Sequence, residues 1–241
     1  MSKISFDNYG KLAREVSDAT LVSGRYAMQA DSERSILLDV IEKLQIEPRD
    51  LLLDIGCNVG NLLIPLSFLT KQATGIDHPS CLEGLKKRFG GDNLRLLPGD
   101  FLDMAIAGPF DKILCYSVLH YLSNKEEVFD FIAKALQLLA PGGRILLGDI
   151  PNRSRKQRFT NSQSGREFER LWQEAAHDRD DRAVAALELA PDPALVQFDD
   201  ELLLEICRRC RAEGFDAYVL RQPSHLPFGN TREDILVIRP S

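Results

Sequence analysis

The chain has 241 residues, of which 44% are hydrophobic and 27% are charged, which suits one globular domain with a sizeable core. Its formal net charge of −6 argues against a broadly basic nucleic-acid surface. No apolar run reaches the roughly 18–20 residues that span a bilayer, and the first residues lack the apolar core of a signal peptide. We therefore expect a cytoplasmic protein without a membrane or nucleic-acid partner.

The five cysteines are scattered along the chain and odd in number, which argues against a disulfide framework. Two of them, Cys207 and Cys210, have the spacing of half a zinc site or of a redox pair. They lie inside a predicted helix, and the sequence offers no second pair or histidine cluster to complete four ligands. We expect incidental thiols and no bound metal.

Short apolar runs alternate with segments of helical periodicity through the middle of the chain. The first helix is expected over residues 32–46, with Ser32 as its cap. Buried strands are expected at residues 51–55, 73–77, 93–100, 111–117 and 144–150. Helices are expected between them at residues 59–69, 81–91 and 123–139, the last opened by a capping box of Ser123 and Glu126.

Strands that alternate with helices predict a parallel sheet covered on both faces. Residues 151–198 interrupt the alternation and are interpreted as a helical insertion. A helix at residues 199–211 and strands at residues 216–222 and 233–240 complete the pattern. The predicted fold class is α/β: a doubly wound, mostly parallel seven-stranded sheet with an antiparallel last strand, helices on both faces and a helical insertion after the fifth strand.

The turn after the first strand is the most informative stretch, because ligands of open parallel sheets bind beyond the carboxyl ends of the strands. Residues 54–60 read Asp-Ile-Gly-Cys-Asn-Val-Gly. Gly56 lets the backbone approach a ligand, Asn58 accepts a positive φ, and Gly60 permits close helix–strand packing. A dinucleotide fingerprint would need glycine at positions 58 and 61 as well, so a nicotinamide oxidoreductase is disfavoured.

An acid followed by spaced glycines instead resembles motif I of the class I S-adenosylmethionine-dependent methyltransferases. Asp77 ends the second strand, 23 residues after Asp54, and PGDFLD (98–103) follows the third strand. FDKILCYSVLHYL (110–122) and APGGRILLGD (140–149) resemble the family's fourth-strand motif and its Pro-Gly-Gly turn. The match is collinear over residues 51–150, and the one departure is Asn58 in place of the middle glycine.

The resemblance implies that S-adenosylmethionine binds along this edge of the sheet. Asp54 would face its ammonium group, Asp77 both ribose hydroxyls, and Asp100 the adenine amino group, with Phe101 beside the ring. The expected cofactor-binding residues are Asp54, Gly56, Cys57, Asn58, Gly60, Asp77, His78, Asp100, Phe101 and Tyr116.

The resemblance also divides the chain into two parts. Residues 1–48 are interpreted as an N-terminal helical cap or lid, and residues 49–241 as the methyltransferase domain, with the insertion at about residues 151–198. The cap contains the candidate lid residues Tyr9, Arg25, Tyr26 and Met28.

Methyl transfer from a sulfonium depends mainly on alignment, with a general base needed for a hydroxyl acceptor. His120 and Tyr116 near the end of the fourth strand, and Asp149 at the end of the fifth, are the catalytic candidates. The alternatives are that His120 only lines the cofactor and that Asp149 only caps a turn. His225 in the last hairpin loop is interpreted as a surface residue.

The residues after the fourth strand narrow the subclass. Cys115-Tyr116-Ser117 lacks the Asn/Asp-Pro-Pro-aromatic run of the amino-methylating DNA enzymes. It also lacks the acid that holds a divalent cation in catechol-type enzymes, so we expect a metal-independent reaction.

Four basic residues follow the fifth strand and suggest a substrate class. Arg153, Arg155, Lys156 and Arg158 could grip an anionic group, the alternative being a solvated loop. The predicted function is transfer of a methyl group to an O or N atom of a small molecule, with an anionic sugar or a secondary metabolite favoured. A non-catalytic nucleoside-binding sensor or partner module is the alternative function, and a homodimer is the candidate assembly.

Overall fold

The computed structural model describes residues 1–25, 29–176, 189–190 and 195–241, and only the backbone of residues 30 and 172–176. The candidate lid residues Tyr26 and Met28 lie outside the described residues. The fold is built on a seven-stranded sheet. Its strands are β1 Leu51–Ile55, β2 Gln72–Asp77, β3 Leu94–Pro98, β4 Phe110–Tyr116, β5 Leu139–Pro151, β6 Asp216–Arg221 and β7 Arg232–Ile238.

The sheet has the order β3-β2-β1-β4-β5-β7-β6, and β7 runs antiparallel to both of its neighbours. Strands β1 to β5 pair in parallel. Parallel neighbours need crossover connections, which the intervening helices supply. The predicted α/β fold class is therefore confirmed.

Helices pack on both faces of this sheet. Those described are α1 Lys3–Glu15, α2 Ala19–Val22, α3 Ala30–Leu44, α4 Leu63–Ser67, α5 Pro79–Arg88, α6 Lys125–Gln137, α7 Arg153–Thr160, α8 Gln163–Ala176 and α9 Asp200–Ala212, with a 3-10 turn at Leu119–Tyr121. In the part of the chain that the structure describes, none of them is long and apolar enough to cross a bilayer.

Helix α3 belongs to the central core although it lies in the segment predicted as a cap. Its buried residues Val40 and Leu44 pack with Leu52 of β1 and Leu114 of β4. Burying an apolar helix face on the sheet stabilises both elements. Only α1 and α2 within residues 1–48 are therefore placed to act as a cover; the division into cap and domain stays a prediction.

Three local predictions from the sequence were wrong. The first helix, expected over residues 32–46 with Ser32 as its cap, is Ala30–Leu44 with Gln29 at the N-cap position. The helix expected at residues 59–69 is only Leu63–Ser67, because positive φ angles at Asn58 and Gly60 keep the preceding residues in a turn. The helix expected from residue 123 begins at Lys125, and its cap is Asn124 instead of Ser123. Asn124 caps it by accepting from the Glu127 N–H at 2.9 Å, while the Glu127 carboxylate accepts from the Ser123 N–H at 2.5 Å. Asn is as good an N-cap as Ser.

The insertion and the N-terminal helix meet above the carboxyl ends of the strands. Asn8 of α1 donates to the Ala190 carbonyl at 2.8 Å and accepts from its N–H at 3.1 Å. Leu189 packs with Leu12 of α1 and Val22 of α2. The chain leaving the insertion therefore braces the N-terminal helices.

Strand β6 lies at one edge of the sheet. Arg211 of α9 donates from Nε to the Ala217 carbonyl of β6 at 3.0 Å. Its guanidinium also lies 5.7 Å from the centre of the Tyr218 ring. A charged side chain thus donates a hydrogen bond to a backbone carbonyl of the edge strand.

Candidate functional site

The turn after β1 has the backbone that its sequence predicts. Gly56, Asn58 and Gly60 have φ angles of 80°, 49° and 87°. A Cβ on Gly56 would lie 2.4 Å from a Val118 methyl, and one on Gly60 would lie 2.8 Å from Leu85 of α5. Glycine is therefore required at both positions by conformation and by space.

Two buried acids face each other across this turn. Asp54 ends β1 at 3% exposure, and Asp77 ends β2 at 8% exposure. Asp77 accepts from the backbone N–H groups of Asn58 at 2.7 Å and His78 at 2.6 Å. Among the described residues, neither carboxylate forms an ion pair with a lysine or arginine.

Burial controls the charge of both acids. It raises the pKa of Asp54 to about 8, with a further contribution from the neighbouring Asp77. Burial also raises the pKa of Asp77, although the N–H groups of Asn58 and His78 oppose that shift. Two uncompensated acids in one buried site favour a cationic ligand, which would lower both pKa values.

A cavity of about 460 Å³ opens beside these acids, a size typical of small-molecule sites. Six of the predicted cofactor residues line it: Asp54, Gly56, Cys57, Asn58, Asp77 and Tyr116. Gly60, His78, His120 and Asp149 are not part of this lining.

The same cavity is also lined by cations. Arg25 is only 8% exposed and donates to the Ser117 hydroxyl at 3.2 Å. Its distances to the carboxylates of Glu33 and Asp149 are 3.6 and 3.7 Å. Its Nε is buried and has no hydrogen-bond partner among the described residues. Arg88 donates to Asn61 at 2.6 Å. The lining of the cavity therefore contains guanidinium groups as well as carboxylates.

The expected adenine site adjoins this cavity but is small. Asp100 and Phe101 line a space of about 20 Å³, room for about one water. Asp100 accepts from the terminal ammonium of Met1 at 3.1 Å, and Phe6 also lines the space. A purine at Asp100 therefore requires Met1 and Phe6 to shift.

His78 is engaged by α1 and α5. Its Nδ1 accepts from the Ser80 N–H at 3.1 Å and caps α5. Its ring lies 4.8 Å from that of Phe6, and a Cβ on Gly10 would lie 2.3 Å from it. These contacts give His78 a packing role beside Asp77.

The carboxyl ends of β4 and β5 meet at a strained pair of residues. Ser117 and Asp149 both have φ 61°, a left-handed conformation that costs on the order of 1–3 kcal/mol in a residue other than glycine. The Ser117 hydroxyl donates to the Asp149 carboxylate, which also accepts from Arg232 at 2.9 Å. Such strain clusters at functional sites. Ser117, which lines the main cavity, is absent from the sequence-based predictions.

Tyr116 and His120 are both neutral groups near neutral pH. Burial raises the pKa of Tyr116 well above its usual value, with the neighbouring Asp149 adding to the shift. Burial lowers the pKa of His120 well below its usual value, and Arg232 and Arg25 act in the same direction. The His120 Nδ1 is buried without a hydrogen-bond partner among the described residues. Its ring lies 4.2 Å from that of Tyr121.

The basic cluster after β5 is largely used within the protein. Arg155 lies 3.4 Å from the carboxylate of Glu233, and Arg158 pairs with Asp200. None of the four basic residues lines the main cavity. Arg25, predicted only as part of the lid, is better placed to meet an anionic ligand.

Two cysteines lie at this site: Cys57 lines the cavity, and the Cys81 thiol lies within hydrogen-bonding reach of Asp77. Cys207 and Cys210 are buried, unpaired thiols of α9, and burial raises the pKa of Cys210 to about 12. Across residues 1–25, 29–176, 189–190 and 195–241, no group of three acidic, histidine or cysteine side chains could hold a metal ion.

Residues 53–145 match the family model for a methyltransferase domain. An uncharacterized methyltransferase of Geobacillus sp. (strain WCH70) is 29% identical over 119 residues, which cover 49% of this chain and 55% of that protein. The chain spans about half or less of the length of the curated relatives it matches.

Two solved structures share the fold over almost the whole chain. Magnesium protoporphyrin IX methyltransferase of Synechocystis PCC 6803 with bound S-adenosylhomocysteine has a TM-score of 0.61 and 14% identity, covering 98% of this chain and 95% of that one. An N-methyltransferase of Bradyrhizobium japonicum WM9 in complex with S-adenosylhomocysteine has a TM-score of 0.59 and 17% identity, covering 97% and 99%. The resemblance predicted from the sequence is confirmed over residues 53–145, which match the methyltransferase-domain model, and the chain shares the Rossmann-like fold of these two methyltransferase structures.

Proposed function

We propose that the protein binds S-adenosylmethionine in the 460 Å³ cavity and transfers its methyl group to a small molecule. The observation that carries the proposal is the pair of buried acids, Asp54 and Asp77, which lack ion-pair partners among the described residues and line this cavity. The cofactor carries a sulfonium and an ammonium group, and both favour ionised carboxylates nearby. Both solved neighbours described above hold the demethylated product of this cofactor.

The cavity also suits the cofactor's carboxylate. Arg25 lines it, is buried, and has an unpartnered Nε. Guanidinium groups bind carboxylates with charge-assisted hydrogen bonds. We therefore assign Asp54 to the ammonium, Arg25 to the carboxylate and Asp77 to the ribose hydroxyls. The adenine would lie between Asp100 and Phe101 once Met1 and Phe6 have shifted.

The catalytic candidates take different roles by their charge. His120 is unprotonated at neutral pH, as a base must be, but its low pKa makes it a weak one. Tyr116 keeps its proton and would donate a hydrogen bond. Asp149, held by Arg232 and Ser117, would orient the acceptor instead of removing a proton. Alignment of the acceptor behind the sulfonium supplies most of the rate in this proposal.

The acceptor is proposed to be an O or N atom of a small molecule. An anionic substrate, such as a sugar carrying a phosphate or carboxylate, would depend on Arg232 beside Asp149, because Arg25 is assigned to the cofactor and the basic residues of α7 do not line the cavity. Arg232 binds Asp149 and lies 4.3 Å from the ring of Phe228. The cytoplasmic location, the metal-independent reaction and the homodimer stay predictions.

Titration calorimetry with S-adenosylmethionine and S-adenosylhomocysteine tests the proposal. The parent protein should bind both, and Asp77→Ala should weaken binding by roughly 1–3 kcal/mol, the size of a lost buried hydrogen-bonding acid. Circular dichroism checks that the variant is folded. A parent protein that binds neither compound, or a folded variant of unchanged affinity, contradicts the assignment.

A non-catalytic sensor is the second candidate function, because the cofactor cavity by itself does not require an acceptor. Transfer of a labelled methyl group to a panel of hydroxyl, carboxyl and amine metabolites separates the two functions. Tight binding of the cofactor with no transfer to any member would favour the sensor.

A further inference from the structure

A buried carboxylate behind the candidate site connects its strained residues. Asp234 of β7 is fully buried. Its Oδ1 accepts from the backbone N–H of Asp149 at 2.8 Å. The Asp149 carbonyl accepts from Arg232 at 3.0 Å. The left-handed conformation of Asp149 is therefore held from both sides of the residue, as strained residues must be.

The same carboxylate reaches Tyr116 through one side chain. Gln222 Nε2 donates to Asp234 Oδ1 at 2.8 Å and to the Tyr116 hydroxyl oxygen at 3.2 Å. Because Asp234 Oδ1 accepts this hydrogen bond, the nitrogen of the Gln222 amide, and not its oxygen, faces the carboxyl group. The Tyr116 oxygen then accepts a hydrogen bond from Gln222, so the hydroxyl proton of Tyr116 is directed away from Gln222.

Helix α3 supplies the charge that balances this acid. Lys43 donates to Asp234 Oδ2 at 2.6 Å and to Asp39 at 2.5 Å. Burial disfavours the ammonium, but Asp234 and Asp39 outweigh it and raise the pKa of Lys43. The acid is thus paired and multiply hydrogen-bonded, which a buried charge requires.

We infer that Asp234 is a positioning residue of the candidate site, acting directly on Asp149 and through Gln222 on Tyr116. The inference rests on the proposed function, since Tyr116 lines the proposed cofactor cavity. One carboxylate fixes the backbone of one candidate catalytic residue and the hydroxyl of another. Removal of the Asp234 carboxylate should therefore disturb the backbone of Asp149 and the hydroxyl of Tyr116 together.

Asp234→Asn tests the inference, with Asp50→Asn as the matched control. Asp50 is also a buried acid, 3.8 Å from Lys112, but it lies at the amino end of β1. Both substitutions should lower the melting temperature. Asp234→Asn should weaken binding of S-adenosylhomocysteine about tenfold, the size of a lost buried hydrogen bond. Asp50→Asn should change it by less than about twofold, because distant sites act independently.

A double-mutant cycle separates positioning from general destabilisation. If Asp234 acts through Tyr116, the losses of affinity in Asp234→Asn and Tyr116→Phe should multiply to more than the loss in the double variant. Gln222→Leu leaves the pair of Asp234 and Lys43 intact and cuts only the link to Tyr116. It should weaken binding about threefold, and should add nothing in the Tyr116→Phe background. If Asp234→Asn does not fold, the affinity of Gln222→Leu decides whether Asp234 acts on Tyr116 through Gln222.

The outcomes separate the inference from the proposed function. A parent protein that does not bind S-adenosylhomocysteine overturns both. A parent that binds it, with Gln222→Leu and folded Asp234→Asn binding as tightly, overturns only the role of Asp234. If the affinity losses of Asp234→Asn and Tyr116→Phe multiply fully in the double variant, the two residues act independently, and the role of Asp234 is overturned as well.

Discussion

The protonation state of Asp54 leads to a measurable prediction. With a pKa of about 8, roughly a tenth of Asp54 is ionised at pH 7 before a ligand binds. A cation beside the carboxylate favours its ionised form. Binding of S-adenosylmethionine at pH 7 should therefore release close to one proton.

Linkage fixes the sign of the pH dependence. Because the free protein holds the proton and the complex does not, the dissociation constant should fall as the pH rises. The limit for one released proton is about tenfold per pH unit, expected between roughly pH 6 and 7.5. Near pH 8 the gain should end, because Asp54 is then about half ionised and an α-amino group, with a pKa of about 7.7–8.0, has lost about half of its charge.

Calorimetry in two buffers of different ionisation enthalpy counts the released protons, and titrations from pH 6 to 7.5 give the slope. Asp54→Asn should bind more weakly, lose most of the proton release and show a flat profile. The control Asp50→Asn, altered at the other end of β1, should keep the proton release and the pH-dependent affinity of the parent protein. A parent protein that binds with no proton release and a dissociation constant independent of pH would refute the placement of a cation at Asp54.

Two further predictions concern the walls of the cavity. Gly56→Ala should lower the free energy of unfolding by more than Gly214→Ala in urea titrations. Both positions have positive φ, 80° and 88°, but only a Cβ on Gly56 meets another atom, a Val118 methyl at 2.4 Å. Equal losses would show that the turn relaxes without cost. The hydroxyl groups of Tyr9 and Tyr121 lie 2.6 Å apart, so a double-mutant cycle of their Phe variants should give a coupling of about 0.5–1.5 kcal/mol. Additive losses of stability would mean that this contact does not hold α1 in place.

The central strands β1, β2, β4 and β5 were predictable because they are mostly buried and carry nearly continuous apolar runs. The turn at residues 54–60 was predictable for a related reason. Asn58 and the two glycines are residue types that accept positive φ, and the structure places all three there. Local residue type and burial are legible in a linear sequence.

The length of α4 was not predictable in the same way. Buried residues at helical spacing, Val59, Leu63 and Leu66, extend beyond the helix itself. Apolar periodicity reports which side chains face the core, and a turn can satisfy it as well as a helix can.

The polar contacts of the candidate site could not be read from sequence, because they join distant parts of the chain. Lys43 and Asp234 are 191 residues apart, and Asp234 stands in the charged start of β7, Arg-Glu-Asp, which gives no sign of its partner. The basic residues after β5 suggested an anion site because the acids that pair with them lie far away in the sequence. Only the folded chain brings Glu233 to Arg155 and Asp200 to Arg158.

The guanidinium of Arg211 on the Ala217 carbonyl limits how two molecules could meet. An exposed outer strand is a template for continuing a sheet from one molecule into the next. Here the invading strand would first have to displace a charge-assisted hydrogen bond and separate Arg211 from the Tyr218 ring. A homodimer of this protein is therefore expected to join through helices or loops and leave each sheet ending within its own subunit.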